Sequence, residues 1–521
     1  MPETVSTINL SDYALCLNPA DNVAVLKRPV KKGATISTDD GDIAIREIIG
    51  PGHKFALRAI RRGERILKYG QTIGFATKDI APGDHVHTHN VELGSFGRDY
   101  AFCEDARPVE FYPEHERGHF MGYSRPGGKA GTRNYIAVIS SVNCSASVSK
   151  YVADRFHTEE FRKQFPNIDG VIAFKHASGC ANDPGEPTRL LQRVLAGIAR
   201  HPNVGGYLLI GLGCEVNQVQ GIVRNEHLDQ LREGELPPVT MDIQTLGGIR
   251  KTVDAGVAAI EKMLPKVNDV QRTKQPLSKL VLAMNCGGSD GNSGITANPA
   301  LGFASDELVR HGATTVLGET PEIYGAEHLL TRRAVSREVG EKIVDLIHWW
   351  EDHARQNKVS IDNNPSVGNK AGGLTTIYEK SLGAVAKGGQ SPLAAVYRYA
   401  EEINIPGLGF MDTPGFDPVS MTGLVAGGCN VGVFTTGRGS VYGCKPAPCI
   451  KVATNTPLYN WMEDDMDINA GGILEGKRSV EDVGREIFDQ IIAVANGEQT
   501  KSEIAGIGDE EFAPWILGSM L

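Results

Sequence analysis

The chain has 521 residues, of which 41% are hydrophobic and 22% charged, and its formal net charge at pH 7 is −10. This length exceeds one ordinary hydrophobic core, so we expect two or three domains, and the composition excludes wholesale disorder. With a net negative charge, the chain lacks the excess of basic residues that is typical of nucleic-acid-binding proteins. We therefore do not expect nucleic acid as a partner.

The N-terminal sequence has no basic segment followed by an apolar run, so no signal peptide is predicted. The apolar stretches fall far short of the ~20 residues needed to cross a bilayer. Nine cysteines without secretory features do not indicate a disulfide framework. We therefore expect a cytoplasmic protein without a membrane segment.

Residues 1–95 predict a small all-β domain. Short apolar or alternating runs such as DIAIREII and KFALRAI recur between the turn signals KKG, GPGH, RRG and APGD, as is typical of short strands joined by tight turns. In HVHTH, alternate residues would share one face of a strand, so His85, His87 and His89 could present three imidazoles to a metal or an anion. Nearby, His53 and Lys54 follow a Pro-Gly turn and could add positive charge.

Residues 96–130 become aromatic, charged and rich in Gly and Pro, which indicates a linker. Beyond them, apolar runs such as YIAVISSV and KLVLAMNCGG alternate with helical patterns such as PTRLLQRVLAGIAR. This alternation predicts α/β domains with mostly parallel sheets, one over 131–270 and a second over 271–521. Ligands of such sheets bind beyond the carboxyl ends of the strands, so these junctions are where we look for chemistry.

Four cysteines stand beside Gly, Asn, Asp or Glu at such junctions, where a thiolate could face a ligand: Cys144, Cys180, Cys214 and Cys286. The alternative is that they are buried small apolar residues. Because no CxxC pair is present, a structural zinc site has weak support. Three of the cysteines facing one cavity could hold iron, either as a single ion or as a cluster with one open iron.

Two polar loops also follow predicted strands. The run NCGGSDGNSGITANP over 285–299 is either a solvated loop or a polyol site, because its small polar side chains can hydrogen-bond hydroxyl groups. In TTGRG, Arg438 could bind a carboxylate with both arms of its guanidinium. GLGCE lacks the GxGxxG pattern, so no nicotinamide site is predicted.

In their order along the chain, these motifs resemble the altronate/galactarate dehydratase family. GHKFAL, KYGQTIG and HVHTHN resemble its N-terminal SAF (β-clip) domain. GTRN, GLGCE, CGGSDGNSGITANP, NPSVGNKAGG, TTGRG and MDINAG resemble its large domain. HVHTHN favours the altronate branch, because galactarate members tend to lack these histidines.

The resemblance implies a hydro-lyase that removes water from an aldonate or aldarate and gives a 2-keto-3-deoxy acid. It also implies Fe2+ as the metal, with Mn2+ or an iron–sulfur cluster as alternatives. Sulfolactate sulfo-lyases share the pattern, so elimination of sulfite is an alternative activity. A sugar-acid-binding sensor is the non-enzymatic alternative, but it would not explain four cysteines in polar settings.

For this reaction we assign candidate residues to three roles. Proton transfer is assigned to Lys54, His53 and His176. Substrate binding is assigned to Arg133, Asn134, Ser289, Asp290, Thr296, Asn298 and Arg438. Metal binding is assigned to Cys144, Cys180, Cys214, Cys286, His85 and His87, while Glu215, Glu319 and Glu322 could orient hydroxyls, bind metal or simply be solvated.

The expected partners are a small polyhydroxy carboxylate and a second copy of the chain, as a homodimer. We expect the site to form where the β domain, from the same or a neighbouring subunit, closes over the strand ends of the large region. The linker would then act as a hinge.

Overall fold

The structure is a computed structural model that describes residues 7–517. Residues 7–92 form a small β domain, called the β module below, whose strands belong to three small sheets. A short helix covers Leu10–Tyr13. The strands are Thr7–Asn9, Ala14–Leu15, Val23–Leu26, Thr35–Thr38, Gly41–Ala44, Lys54–Ala56, Arg65–Lys68, Gln71–Ala76, His85–Val86 and Val91–Glu92. Apolar side chains from different strands, among them Leu26, Ile36 and Phe55, are fully buried and form the interior of the module.

The segment after the β module lies against the large domain. Arg98 Nη1 is 2.7 Å from Glu327 Oε1, and the two form a partly buried ion pair. Farther along, a strand pairs in antiparallel fashion with a strand that precedes the large domain. The strands of this small sheet are His119–Ser124, Ala130–Gly131 and Arg272–Pro276. The predicted linker over 96–130 is therefore not a free hinge, because its side chains and backbone find partners elsewhere in the chain.

The middle domain is built on a four-stranded parallel sheet. Its strands, in spatial order, are Gly170–Phe174, Tyr135–Ser140, Val204–Gly211 and Val239–Asp242. Its helices are Asn143–Asp154, Glu159–Gln164, Glu186–Ala199, Val219–Asn225, Ile243–Leu246 and Ile249–Asn268. Alternate residues of the central strand face different cores: Ile136 and Val138 pack in one apolar cluster, Ala137 and Ile139 in another. The sheet is therefore covered on both faces, as its continuous apolar strands predict.

The large C-terminal domain is built on a seven-stranded parallel sheet. Its strands, in spatial order, are Leu393–Tyr397, Gly407–Met411, Thr314–Leu317, Val281–Cys286, Val431–Thr436, Cys449–Ala453 and Ile468–Asn469. Its helices are Ala297–Arg310, His328–Thr331, Arg337–Gln356, Val367–Ala371, Ile377–Val385, Asp417–Ala426, Thr456–Trp461, Val480–Ala495 and Lys501–Ile504. The predicted α/β fold class is confirmed. Among residues 7–517, no helix is both long and apolar enough to cross a bilayer.

The strand order of this sheet reverses at its centre. The strand of this sheet that comes first in the sequence, Val281–Cys286, lies between Thr314–Leu317 on one side and Val431–Thr436 on the other. Where successive strands diverge to opposite sides, their connecting loops separate and leave a crevice at the carboxyl edge. Cys286, Glu319 and Arg438 all lie at or just beyond the ends of these three strands.

Candidate functional site

The β module docks on the large domain through a buried cluster of three charges. Lys54 Nζ and Lys68 Nζ each lie 2.9 Å from the carboxylate of Glu379, and the three side chains are 0%, 1% and 0% exposed. The two ammonium groups hold the pKa of the Glu379 carboxyl well below its usual range despite its burial. Lys54 also donates to Gly373 O at 2.6 Å. Its donors are thus used within the domain contact, so the geometry supports a docking role for Lys54 rather than the expected proton transfer.

The turn of the β module that contains Gly52 and precedes Lys54 fits between two loops of the large domain. Gly291 N donates to Gly372 O at 2.8 Å, which holds the two loops together. A Cβ atom added at Gly291 or at Gly373 would overlap the carbonyl group of Gly52. Glycine at these positions therefore permits the backbone of the module to approach the polar loop 285–299 closely.

Three histidines of the β module form a compact cluster, called the histidine cluster below: His53, His85 and His87. Each offers one ring nitrogen within 4.8 Å of the others, and His53 Nδ1 lies 3.1 Å from His85 Nε2. Burial lowers the pKa of His53, that of His85 to about 3 and that of His87 to about 4. The imidazoles are therefore neutral at pH 7, which is the form that binds metal ions.

The third member of the cluster differs from the sequence expectation. The strand ends at Val86, where the side chain of Asn90 accepts from His87 N and donates to His85 O. This turn interrupts the alternation, so His89 is exposed and does not belong to the ligand group, although its ring centroid lies 5.5 Å from that of His85. His53 takes its place, because it directly precedes the strand Lys54–Ala56, which pairs with the strand of His85. His53 was expected to transfer protons, and its position instead supports a ligand role.

Arg438 lies at the rim of the crevice, beside the histidine cluster. Its backbone N–H donates to Gly288 O at 2.8 Å, and a Cβ on Gly372 would lie 3.0 Å from its Cδ. The side chain is exposed, and no carboxylate within residues 7–517 lies within 4 Å of its guanidinium. Its positive charge adds to the effect of burial in lowering the pKa of His53. This position suits the predicted binding of a carboxylate.

The polar loop 285–299 encloses a small cavity beside the docked module. Asp290 is buried and accepts hydrogen bonds from Asn292 N at 3.1 Å, Ser293 Oγ at 3.0 Å and Thr454 Oγ1 at 3.1 Å. The cavity is lined by residues that include Tyr69, Ser289, Asp290, Asn298 and Lys380. Ser289 Oγ is buried without a hydrogen-bond partner among the described residues. Three of the predicted polyol-binding residues therefore meet at one cavity.

Thr296, the fourth residue predicted in this loop, is fully buried and donates to Thr454 O at 2.9 Å. It does not line the cavity and instead fixes the loop against the neighbouring strand end. Asn298, which does line the cavity, also donates to Gly383 O at 2.9 Å.

A second group of potential ligands lies deeper in the large domain. Cys286, Glu319 and Glu322 offer ligand atoms within 4.8 Å of one another and are 2%, 1% and 3% exposed. Lys387 Nζ lies 2.9 Å from Cys286 Sγ, and Lys380 Nζ lies 2.6 Å from Glu322 Oε1. These ammonium groups supply the positive charge that a cation would otherwise bring.

Glu319 stands out within this group. Both of its carboxylate oxygens are buried without a hydrogen-bond partner among residues 7–517. Burial and the neighbouring Glu322 raise its pKa well above the ordinary value. Burial likewise raises the pKa of Asp417, which accepts from Asn285, to about 6. The crevice thus contains buried carboxyl groups that can hold a proton near neutral pH.

Two predicted substrate ligands lie elsewhere. All five N–H groups of Arg133 donate within the protein, two of them to the carboxylate of Glu503 at 2.7 and 2.8 Å. Asn134 donates to Asn167 O at 2.6 Å and to Val267 O at 3.0 Å. Arg133 and Asn134 therefore have structural roles rather than the expected substrate binding: Arg133 ties the middle domain to residues 494–503, and Asn134 fixes neighbouring loops of its own domain.

The remaining candidates belong to the middle domain. His176 is buried between Ser140 O and Ser178 N, and burial lowers its pKa to about 4. Glu215 accepts from Ser141 Oγ at 2.6 Å and from backbone N–H groups of its own loop. Both residues brace loops, and neither joins the crevice of the large domain. Cys144, Cys180 and Cys214 are exposed at this end of the middle domain and belong to neither of the two ligand groups found among residues 7–517.

Sequence reasoning missed the buried charges that complete the site: Lys68, Glu379, Lys380, Lys387 and Asp417. One signal was present, because EK and K interrupt the otherwise apolar run IYEKSLGAVAKGG. Charged residues inside an apolar helix are rarely buried unless they are paired, so they indicate an internal network.

Comparisons with known proteins agree with this architecture. Three family models match the chain in order: the altronate/galactarate dehydratase SAF domain over 12–94, the D-galactarate dehydratase/altronate hydrolase second domain over 122–268, and the D-galactarate/altronate dehydratase C-terminal domain over 277–520. The expected SAF domain is thereby confirmed.

Curated relatives extend the match over nearly the whole chain. An altronate dehydratase of Bacillus subtilis is 36% identical, over 94% of this chain and 96% of its own. A galactarate dehydratase (L-threo-forming) of Escherichia coli is 37% identical, over 94% and 93%. The β subunit of a (2R)-sulfolactate sulfo-lyase of Chromohalobacter salexigens is 31% identical, over 75% and 96%. The chain therefore belongs to the altronate/galactarate dehydratase family of sugar-acid hydro-lyases.

Proposed function

We propose that this protein dehydrates altronate or a closely similar aldonate to a 2-keto-3-deoxy acid. The observation that carries this proposal is the placement of the histidine cluster beside Arg438 and the polar loop 285–299. The β module supplies the imidazoles, and the large domain supplies a carboxylate-binding group and a polar cavity. Neither domain alone contains the complete set.

The charges of the crevice support a substrate with one carboxylate. Arg438 has no carboxylate partner among the described residues, whereas Lys380 is paired with Glu322 and Lys387 lies 3.7 Å from Glu319. A dicarboxylate such as galactarate would need a second uncompensated cation at its far end. The uncompensated Arg438 at the rim suits the single carboxylate of an aldonate, and we therefore favour altronate over galactarate.

We further propose that Fe2+, with Mn2+ as the second choice, binds at the histidine cluster. Three neutral imidazoles suit a divalent transition metal, and the buried Nδ1 of His87 has no hydrogen-bond partner among residues 7–517. The Cys286 group is a poorer choice, because two lysines already balance its charge and it is closed to solvent. When bound, the ion would polarise substrate oxygens and stabilise the negative charge that develops on loss of the α-hydrogen.

The protein's own groups then orient the substrate. Arg438 would hold the carboxylate at the rim, and Ser289, whose buried Oγ has no partner among residues 7–517, would hydrogen-bond a substrate hydroxyl group. The docked β module covers this edge of the sheet, so it would exclude water from the charged intermediate. We expect a cytoplasmic enzyme, because its cysteines are unpaired thiols and Fe2+ persists in a reducing compartment.

The test is a substrate panel under anaerobic conditions with added Fe2+. Altronate, galactarate and sulfolactate are offered separately, and 2-keto-3-deoxy acid and sulfite are measured. We expect the highest kcat/KM on altronate. A higher value on galactarate would contradict the argument from charge, and release of sulfite from sulfolactate as the dominant activity would replace dehydration by sulfite elimination.

A further inference from the structure

Three cysteines that the proposed function does not use lie at the carboxyl edge of the four-stranded sheet of the middle domain. Each follows a different strand of that sheet within six residues: Cys144 after Tyr135–Ser140, Cys180 after Gly170–Phe174 and Cys214 after Val204–Gly211. The three strands are neighbours and run parallel. The cysteines therefore lie at one edge of the sheet, Cys144 in the first turn of the helix Asn143–Asp154 and the other two on the neighbouring loops.

Hydrogen bonds tie these loops to one another. Asn143 N, next to Cys144, donates to Ser178 O at 2.9 Å. Val216 N, in the loop of Cys214, donates to Cys180 O at 2.9 Å. The loop of Cys180 thus contacts both of the others, which brings the three thiol-bearing segments together.

The environment of the three thiols differs from that of most other cysteines in the chain. Cysteine is among the most buried residue types, and Cys286, Cys429, Cys444 and Cys449 follow that rule. Cys144, Cys180 and Cys214 are all exposed. Three unpaired thiols exposed along one sheet edge contribute nothing to the core, whereas they are well placed to hold a ligand at the surface of the domain.

Buried polar residues fix the loops that carry the thiols. His176 lies between Ser140 O at 2.9 Å and Ser178 N at 3.2 Å, and so fixes the loop before Cys180. Glu215 accepts from Ser141 Oγ at 2.6 Å and from Gly213 N at 2.7 Å, and so joins the loops of Cys144 and Cys214. Such outer contacts are typical of groups that orient metal ligands.

Two further features suit a negatively charged group with sulfur ligands. Gln244 Nε2 donates to Cys214 Sγ at 3.3 Å, the kind of bond that tunes a metal–thiolate centre. Cys144 is the second residue of the helix Asn143–Asp154, which begins without a side-chain cap, so the helix dipole favours negative charge there.

We propose that Cys144, Cys180 and Cys214 bind an iron–sulfur cluster in which one iron has no protein ligand. Thiolates that share a single ion at about 2.3 Å stand close together, yet these cysteines are not among the ligand groups within 4.8 Å found among residues 7–517. A cluster anchors each thiolate on a different iron and so spans a wider set. Each thiol releases its proton on binding, and the fourth iron takes an exchangeable oxygen ligand, such as water or a hydroxyl.

This site is separate from the proposed iron at the histidine cluster, and its test does not depend on enzyme activity. The full chain is incubated anaerobically with Fe2+, sulfide and a thiol reductant and then desalted. Iron, acid-labile sulfide and visible absorption are measured on the wild type and on Cys144→Ser, Cys180→Ser and Cys214→Ser. Cys16→Ser and Cys103→Ser, outside the middle domain, are the matched controls.

We expect about four sulfide per chain and about four iron beyond any held at the histidine cluster, with broad visible absorption; the sulfide, this iron and the absorption should be lost in each middle-domain variant and retained in both controls. Brief oxidation should release the iron that lacks a thiolate and leave the paramagnetic signal of a three-iron cluster. Circular dichroism checks that each variant is folded, which we expect because serine replaces an exposed thiol. The proposal is overturned if the wild type binds no labile sulfide, or if the folded middle-domain variants retain as much as the controls.

Discussion

Replacing Glu379 by glutamine should release the β module from the large domain. The carboxylate lies 2.9 Å from Lys54 Nζ and from Lys68 Nζ, and all three groups are buried. Glutamine keeps the shape but removes the negative charge, so two ammonium groups are left in a dry interface without compensation. Breaking a buried ion pair on one side costs about 3–5 kcal/mol.

The two lysines set an upper limit on the free-energy cost of Glu379→Gln. Burial lowers the pKa of Lys54 to about 8 even with Glu379 present. Without the carboxylate, Lys54 can lose its proton near neutral pH, which limits the penalty to a few kcal/mol. Lys54→Met should be milder than Glu379→Gln, because it leaves Lys68 and Glu379 as a balanced pair.

Hydrogen exchange of the β module measures this effect directly. Since about 1.4 kcal/mol corresponds to a tenfold change, peptides from Arg65–Lys68 and Gln71–Ala76 should exchange at least 100-fold faster in Glu379→Gln. The control is Glu402→Gln, whose carboxylate pairs with Lys129 at the surface and whose loss should cost less than about 1 kcal/mol. If the module in Glu379→Gln were as well protected from exchange as in the wild type, the proposed docking role of Glu379 would be refuted.

Three further outcomes are expected. Arg438→Lys keeps the charge but loses the two-armed geometry, so kcat/KM on the sugar acid should fall roughly tenfold or more; unchanged kinetics would place this residue outside the site. Gly291→Ala should abolish activity, because the added methyl group overlaps Gly52, whereas Gly97→Ala, with open space around it, should be neutral; an active Gly291→Ala enzyme would contradict the docking geometry. Burial lowers the pKa of His201 to about 3, below the ~6.5 of an unfolded chain. Its contribution to the free energy of unfolding is therefore full above pH 6.5 and is lost as the pH falls toward 3. Between pH 7 and pH 5 the loss amounts to about 2 kcal/mol. Urea unfolding at pH 7 and pH 5 should show a smaller difference in the free energy of unfolding for His201→Gln than for the wild type. An equal difference would show that His201 does not contribute to the pH dependence of stability.

Local patterns predicted the parts of the site that depend on a strand and the loop after it. Cys286 and Arg438 were found because an apolar run breaks into polar residues at each of them, and parallel strands bring such breaks to one edge. The alternation in HVHTH likewise identified His85 and His87. These predictions rest on periodicity, which the sequence carries within ten or so residues.

Contacts between distant parts of the chain could not be predicted in this way. Lys54 and Glu379 are 325 residues apart, and Arg133 and Glu503 are 370 residues apart. Their pairing depends on how whole domains dock, which no local pattern encodes. Arg133 was therefore interpreted as a substrate ligand although it is a buried structural cation. The histidine cluster contains His53 where the sequence predicted His89. The reason is local: the side chain of Asn90 forms a turn that ends the strand before His89.

The most direct test of the central claim is an iron titration of the metal-free enzyme in sulfide-free buffer, followed by both altronate dehydration and equilibrium binding of Fe2+. His87→Ala removes a member of the histidine cluster, and His89→Ala removes an exposed histidine two residues away as the matched control. We predict that the metal-free wild type and His89→Ala are inactive and recover as Fe2+ binds, whereas His87→Ala loses at least 100-fold in affinity for Fe2+ and in activity. Full activity of the metal-free wild type, or equal titrations of His87→Ala and His89→Ala, would contradict the account.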